Sequence, residues 1–252
     1  MCGGNRTTTK VKDTLIENEV AHGKYIAEHG EEVWHWSSPA GRLRWQRRVE
    51  MFKEFLGEDN KRVLEIGCGT GLFTEAISVT KNEIIAIDLS PILLDLARQR
   101  VSKQNTIFKV EDAHSTTFVD ESFDFIIGSS TLHHLVVDLA LKEFWRLLKV
   151  GGGLMFTEPN MLNPQIALER NMPFIRKLAH NSPDETAFFR WSLADKLKAS
   201  GFKSISIQPF DFMHPAIPRP LLSVMDPILM GMESVPLIRE IAGSLIIKAT
   251  KG

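Results

Sequence analysis

The chain has 252 residues, a formal net charge of −1 and 43% hydrophobic residues. This apolar content is enough to build a sizeable core, so the composition excludes a chain that is disordered throughout. A net charge near zero gives no general attraction to polyanions, which argues against nucleic acid as a partner.

Two helices are predicted in the N-terminal region. Residues 1–12 are polar, and we expect them to be disordered. Residues 13–29 have apolar side chains at helical spacing and are followed by Gly30. Ser38 is typical of an N-cap and Pro39 of a first helical position, which predicts a second helix ending near Gly57.

Strands and helices alternate from Lys61 onward. Short apolar runs occupy residues 63–66, 83–87, 106–110, 123–128 and 154–157, and helical spacing occupies residues 73–78, 92–101 and 138–148. Such alternation predicts a parallel sheet with helices on both faces. A ligand should then bind outside the carboxyl ends of the strands.

The C-terminal part is less regular. Residues 159–190 read as irregular or short-helical, and a helix at residues 192–200 should end at Gly201. Residues 202–208 and 244–249 read as two more strands, which makes a doubly wound, Rossmann-like α/β fold with a mostly parallel seven-stranded sheet. The connection at 209–242 is far longer than the roughly 2–5 residues of a hairpin. We interpret residues 159–190 and 209–242 as helical cap segments or insertions.

A glycine-rich turn follows the first strand. It contains Gly67, Gly69 and Gly71, and glycines allow the backbone to turn sharply and approach a ligand closely. The dinucleotide fingerprint would require Gly or Ala at the position of Leu72. A phosphate-binding loop would require a Gly-Lys-Ser/Thr ending, which is absent. The turn therefore fits neither of these two patterns.

Residues 65–71 resemble motif I of the class I S-adenosylmethionine-dependent methyltransferases. The resemblance continues at residues 87–90, 110–113, 123–127 and 147–153, and covers roughly residues 40–160. Within the class, the chain is most similar to the small-molecule branch typified by ubiquinone and menaquinone methyltransferases. The resemblance implies S-adenosyl-L-methionine as the cofactor and S-adenosyl-L-homocysteine as the product. It makes residues 58–252 the methyltransferase domain, with the helices of residues 13–57 covering the cofactor site.

The resemblance also implies roles for single residues. The backbone of Gly67, Cys68 and Gly69 should pass the methionine part of the cofactor, and Glu65 should face its ammonium group. Asp88 should accept both ribose hydroxyls. Leu89 should pack on the adenine, and Asp112 and the backbone of Ala113 should contact its edge. Ser129 should line the far wall of the site. Glu111 is a close rival of Asp112 for the adenine edge.

Four arginines lie close together in the second predicted helix. They could hold the cofactor carboxylate or an anionic substrate, or could form a solvated helix face. We favour the solvated face for Arg47 and Arg48. Arg42 and Arg44 lie in the first turn of the helix and are the better candidates, with Arg44 assigned to the cofactor.

Two histidines follow the fourth strand and are the catalytic candidates. A base is needed only when the acceptor must lose a proton, because the cofactor already carries an activated leaving group. His134 and His133 lie at a predicted helix start, which favours a neutral ring that can accept a proton. Either ring could instead cap the helix or pack on a neighbour. Glu158, at the end of the fifth strand, could face the site or pair with a lysine.

The predicted function is methyl transfer to an O, N or C atom of a small acceptor. An apolar acceptor would suit the methionine-rich residues 209–242, which could equally be the core of a cap. The alternatives are an NAD(P)-dependent oxidoreductase and a non-catalytic scaffold that binds S-adenosylmethionine. Only Cys2 and Cys68 are present, so neither a disulfide framework nor a metal site is expected. We expect a cytoplasmic protein without a transmembrane segment, and the oligomeric state stays open.

Overall fold

The computed structural model describes residues 4–30, 32, 35–58, 60–172 and 186–252. Residues 1–3 of the predicted disordered N-terminus and residues 173–185 of the predicted cap lie outside the described residues. Within the described part, the order of elements follows the alternation that the sequence predicts.

Two helices form the N-terminal region. Helix α1 spans Gly4–His29 and helix α2 spans Pro39–Leu56. The Ser38 hydroxyl caps α2 by accepting the Gly41 amide at 2.9 Å, and Gly57 follows the helix with a φ of 60°. Helix α1 includes residues 4–12, for which the sequence predicts disorder. Our prediction relied on apolar spacing, whereas an existing helix can extend through polar residues by one backbone hydrogen bond per residue.

Seven strands and seven further helices complete the described fold. The strands are β1 (Arg62–Ile66), β2 (Glu83–Asp88), β3 (Thr106–Val110), β4 (Phe123–Ser129), β5 (Leu148–Pro159), β6 (Phe202–Phe210) and β7 (Ser244–Lys251). The helices are α3 (Leu72–Ile77), α4 (Pro91–Arg100), α5 (Val137–Leu147), α6 (Pro164–Asn171), α7 (Arg190–Ala199), α8 (Arg219–Met232) and α9 (Pro236–Arg239). A short 3₁₀ turn, Leu132–His134, precedes α5.

The strands form one sheet in the order β3-β2-β1-β4-β5-β7-β6. Neighbours are parallel except that β7 runs antiparallel to both β5 and β6. The predicted Rossmann-like, mostly parallel seven-stranded sheet is confirmed. The chain leaves β1 in one direction to form β2 and β3 and later returns on the other side as β4, so a ligand crevice opens beyond the ends of β1 and β4.

Apolar side chains cover both faces of the sheet. On one face, Phe144 of α5 and Leu193 of α7 pack in a buried cluster with sheet residues such as Phe156. On the other face, Phe52 of α2 and Leu94 of α4 do the same. Because the inner strands β1 and β2 are buried on both faces, their sequences read as largely apolar runs.

Residues 209–242 pack mainly against α2. Met213 and Leu222 form a small buried cluster with Ala40, and Glu233 pairs with Arg47. The Ser38 hydroxyl donates to the Pro215 carbonyl at 3.0 Å. The segment therefore supports α2 from outside. None of the helices among the described residues is both long and apolar enough to cross a membrane.

Candidate active site

A cavity of about 380 Å³ opens at the carboxyl ends of the strands. Its size falls in the range of roughly 300–1,000 Å³ that is usual for small-molecule sites. Ten of the twelve predicted site residues line it: Arg44, Gly67, Cys68, Gly69, Asp88, Leu89, Ala113, Ser129, His133 and His134. The fold thus brings together side chains that lie up to 90 positions apart in the sequence.

The glycine turn and Asp88 form one hydrogen-bonded unit. Gly67 and Gly69 have φ values of 63° and 52°, a conformation that residues with a Cβ rarely adopt. The Gly69 amide donates to Asp88 Oδ2 at 2.9 Å, and the Ser90 amide donates to Oδ1 at 2.8 Å. Burial raises the pKa of Asp88, and these two amides lower it. The carboxylate is therefore fixed at the end of β2, where it faces the cavity.

Glu65 lies behind the cavity wall rather than in it. The residue is 4% exposed, and its Oε2 atom has no hydrogen-bond partner among the described residues. Burial raises the pKa of this carboxyl group, the neighbouring Thr74 hydroxyl lowers it and the charge of Asp88 raises it, which together leave the pKa at about 7. A buried, unpartnered carboxylate oxygen is costly unless a donor or cation completes it. Glu65 therefore suits the ammonium group that the resemblance implies.

The predicted adenine side is only partly in place. Leu89, Ala113 and Ser129 line the cavity, and so does Glu111, whereas Asp112 does not. The Asp112 carboxylate accepts instead from the backbone amide of His114 at 2.9 Å and lies 2.6 Å from its Nδ1 atom.

His133 is held by Glu158. Glu158 Oε1 accepts the amides of Thr131 and Leu132 at 3.0 and 2.7 Å, and Oε2 lies 2.6 Å from His133 Nδ1. Glu158 is only 1% exposed. It pairs with a histidine at the start of the 3₁₀ turn, not with a lysine. When the His133 ring is neutral and donates its Nδ1 proton to Glu158, the lone pair lies on Nε2.

His134 contacts the N-terminal helix. Its Nδ1 atom lies 2.8 Å from Glu19 Oε1 of α1, and its ring centroid is 4.1 Å from that of His133. Glu19, His22, Gly23 and Ile26 of α1 line the cavity. A Cβ at Gly23 would lie 2.7 Å from Ser90 Oγ, so this glycine permits α1 to approach the start of α4 closely.

The arginines of α2 differ from the expected arrangement. Arg48 is 2% exposed and lines the cavity together with Arg44, so its assignment to a solvated helix face is wrong. Arg42 is exposed and does not line the cavity. Arg47 points away from the cavity toward Glu233. The exposure of a helix position depends on what packs over it, and residues 209–242 bury this face of α2.

Asp211 joins the two inner arginines. Its Oδ2 atom lies 2.9 Å from Arg44 Nε and 2.7 Å from Arg48 Nη2. Burial raises the pKa of Asp211, but the two guanidinium groups outweigh it and hold the pKa at about 2. Burial lowers the pKa of Arg48 to about 10, so it stays charged at neutral pH. Trp36 lies beneath both guanidinium groups, at 5.5 and 5.4 Å from its ring centroid.

Comparisons with known proteins find methyltransferases that are similar to this chain. Residues 64–156 match a family described as a methyltransferase domain. An uncharacterized methyltransferase-like protein of Schizosaccharomyces pombe is 30% identical over 166 residues, which cover 63% of this chain and 60% of that protein. A ubiquinone biosynthesis O-methyltransferase of Coxiella burnetii is 27% identical over 155 residues, covering 58% of this chain and 66% of that one. The aligned regions thus span less than two thirds of these two relatives.

A solved structure shows the same fold. It is a methyltransferase of Thermotoga maritima, described as a possible histamine N-methyltransferase, with a TM-score of 0.65 and 23% identity over 90% of this chain and 98% of that chain. Together with the motifs, these matches make the chain similar to the class I S-adenosylmethionine-dependent methyltransferases, in sequence over residues 64–156 and in fold. S-adenosylmethionine is the cofactor of this class. Three features of the cavity and its wall are compatible with it: the unpartnered Oε2 atom of Glu65, the hydrogen-bonded Asp88 carboxylate and the glycine turn.

The raised pKa of Glu65 predicts pH-dependent cofactor binding. Below pH 7 the free protein keeps the Glu65 proton, whereas a neighbouring ammonium group favours the carboxylate, so binding releases the proton. The affinity for S-adenosylhomocysteine should therefore rise roughly tenfold from pH 6.0 to 7.5 and then level off. Calorimetry across this range measures it. Glu65→Gln should bind more weakly and lose this pH dependence, and an unchanged pH profile in that variant would remove Glu65 from the ammonium site.

Proposed function

We propose that this protein transfers the methyl group of S-adenosylmethionine to an O, N or C atom of a small acceptor. The observation that carries the proposal is the lining of the cavity. Besides the glycine turn and Asp88, it includes His133, His134, Trp36 and Ile166, which extend the lining beyond the residues assigned to the methionine and ribose parts of the cofactor. The oxidoreductase alternative is not favoured. The glycine spacing differs from the dinucleotide fingerprint, and the matching family is a methyltransferase domain.

The chain's contribution to such a reaction is mainly alignment. When bound, the cofactor supplies an activated methyl group on a sulfonium. Holding an acceptor in line with that group can provide up to roughly 7–11 kcal/mol of the barrier reduction. The glycine turn and Asp88 fix one reactant, while the far half of the cavity fixes the other. Helix α1, which lines the cavity through Glu19 and Ile26, would limit the access of water.

We propose that His134 or His133 accepts a proton when the acceptor must lose one. Both rings line the cavity, and each has Nδ1 within hydrogen-bond distance of a carboxylate. This arrangement orients the ring and stabilises the imidazolium that forms. The sequence does not separate the two, but their partners differ: Glu158 is buried near the carboxyl end of β5, whereas Glu19 belongs to α1.

Single variants distinguish the two histidines. His134→Gln and His133→Gln should both keep their affinity for S-adenosylhomocysteine within about threefold. The variant that removes the base should lose roughly 10²–10⁴-fold in kcat, together with the acidic limb of its pH profile. The other should lose much less. If both keep full turnover and the same pH profile, neither residue is the base, and alignment alone accounts for the reaction.

Labelled-methyl transfer tests the proposed function. The protein is incubated with methyl-labelled S-adenosylmethionine and fractionated cell extract, and label is followed into small molecules, protein and nucleic acid. We expect label in a small-molecule fraction, and none when the protein is first saturated with S-adenosylhomocysteine. Label confined to protein or nucleic acid would contradict a small acceptor. Cofactor binding without any transfer would favour the scaffold alternative.

A further inference from the structure

The charged residues that line the cavity are separated by sign. The carboxylates come from Glu19 of α1, Asp88 at the end of β2 and Glu111 after β3. The guanidinium groups come from α2 and α6 and are those of Arg44, Arg48 and Arg170. An acidic half suits a ligand that carries a sulfonium and an ammonium group. The basic half can then face either the carboxylate of the cofactor or the acceptor, and the position of the arginines in the fold bears on this choice.

The strand order places the arginine pair far from the ribose carboxylate. Arg48 Nη2 donates to Ser244 Oγ at 2.8 Å, and Ser244 is the first residue of β7. Asp88 ends β2, four strands away in the order β2-β1-β4-β5-β7. Four strand spacings correspond to about 19 Å across the sheet. The arginines therefore lie on the side of the cavity beyond β4, in the half assigned above to the acceptor.

Arg44 and Arg48 are built into this wall rather than mobile on a surface. Asp211 contacts both guanidinium groups, and the Trp36 ring supports them from one side. One carboxylate is thus shared by two cations, which leaves a net positive charge at the wall. The two terminal nitrogens of Arg44 make no hydrogen bond to any described residue, and its side chain is 18% exposed. Their N–H groups are available in the geometry that binds a planar oxyanion.

We propose that Arg44 and Arg48 bind an anionic group of the acceptor, a carboxylate or a phosphate, with Asp211 positioning both arginines. This inference rests on the proposed function and narrows the acceptor to a small molecule that joins an oxyanion to an apolar part. Trp36, Pro159 and Ile166 line the cavity and provide the apolar contacts. The sequence led us to assign Arg44 to the carboxylate of the cofactor. The present inference assigns it to the acceptor instead.

Binding of simple probes to the protein saturated with S-adenosylhomocysteine tests this inference. The probes are benzoate, phenyl phosphate and the neutral benzamide, which share a ring, and binding is measured by calorimetry or ligand-observed NMR. At least one anion should bind tenfold or more tightly than benzamide. Whether benzoate or phenyl phosphate binds better distinguishes a carboxylate from a phosphate on the acceptor. Equal binding of all three probes would overturn the inference without touching the methyltransferase assignment.

Arg44→Gln is the matched variant, because Arg48 still pairs with the buried Asp211 and the fold should survive. This variant should bind the preferred anion at least tenfold more weakly than the wild type. Its affinity for S-adenosylhomocysteine should stay within twofold of the wild-type value. Arg47→Gln, on the same helix but paired with Glu233 outside the cavity, should change neither affinity. An unchanged anion affinity in Arg44→Gln contradicts the inference. A tenfold loss of S-adenosylhomocysteine affinity also contradicts it, since Arg44 would then hold the cofactor.

Discussion

Gly69→Val is expected to abolish the binding of S-adenosylmethionine and S-adenosylhomocysteine, with a loss above about a hundredfold, or 2.7 kcal/mol. Gly69 has a φ of 52°, where a residue with a Cβ pays roughly 1–2 kcal/mol and a β-branched one more. A change of this φ would also move the Gly69 amide away from Asp88. The branched side chain would further occupy space beside the methionine part of the cofactor.

A second glycine provides the control for backbone strain. Gly151, in the irregular part of β5 between the paired residues Leu148 and Gly153, has a φ of 79°, and a Cβ there would meet no atom within 4 Å. Gly151→Val therefore carries a comparable backbone strain far from the glycine turn and should keep its cofactor affinity. Both variants are checked for folding by circular dichroism before binding is measured. Normal binding by a folded Gly69→Val variant would show that the cofactor does not use this turn.

Asp88→Ala should weaken S-adenosylmethionine binding at least tenfold, about 1.4 kcal/mol. Each charge-assisted hydrogen bond to a ribose hydroxyl contributes about 1.5–3 kcal/mol, and the variant removes the acceptor of both. It also removes the acceptor of the Gly69 and Ser90 amides, which loosens the turn itself. The loss of affinity for S-adenosylmethionine should therefore exceed tenfold.

Asp95→Ala is the matched control for this prediction. Asp95 lies on α4, close in sequence to Asp88, but its carboxylate is exposed and pairs with Arg98 on the same helix. Its removal should leave calorimetric affinities for S-adenosylmethionine unchanged. If Asp88→Ala is folded and binds as tightly as Asp95→Ala, Asp88 does not hold the ribose.

The central sheet could be predicted because its signal is local. The inner parallel strands are buried on both faces, so β1 and β2 appear in the sequence as largely apolar runs bounded by turn residues. Ser38 and Pro39 marked the start of α2 in the same way, through the hydrogen-bonding needs of a helix end. The glycine turn was recognisable because the left-handed backbone conformation at Gly67 and Gly69 favours glycine.

The basic half of the cavity could not be predicted, because long-range contacts create it. Arg48 and Asp211 are 163 positions apart, and nothing in the local pattern of either residue indicates the other. Arg48 is buried because residues 209–242 pack on α2. The helical spacing of apolar residues within α2 carries no information about this long-range contact. The pairing of Glu19 with His134 depends in the same way on the docking of α1.

The sequence left two interpretations of residues 209–242: an apolar lining of the acceptor pocket, or the core of a cap. The length and apolar composition of this segment indicated an insertion, and the structure has one, with α8 and α9. None of residues 209–242, all of which are described, lines the cavity. The apolar side chains Met213 and Leu222 serve the contact with α2, so the segment shapes the site only through Asp211 and the arginines.

Isothermal titration calorimetry of the wild-type protein with S-adenosylmethionine, S-adenosylhomocysteine and NAD⁺ tests the central claim most directly. The Glu65 and Asp88 carboxylates and the glycine turn predict one site per chain for both sulfur-containing ligands. They predict no measurable heat with NAD⁺, because Leu72 replaces the third glycine of the dinucleotide fingerprint. Binding of NAD⁺ in place of S-adenosylhomocysteine, or binding of none of the three, would contradict the assignment of this cavity.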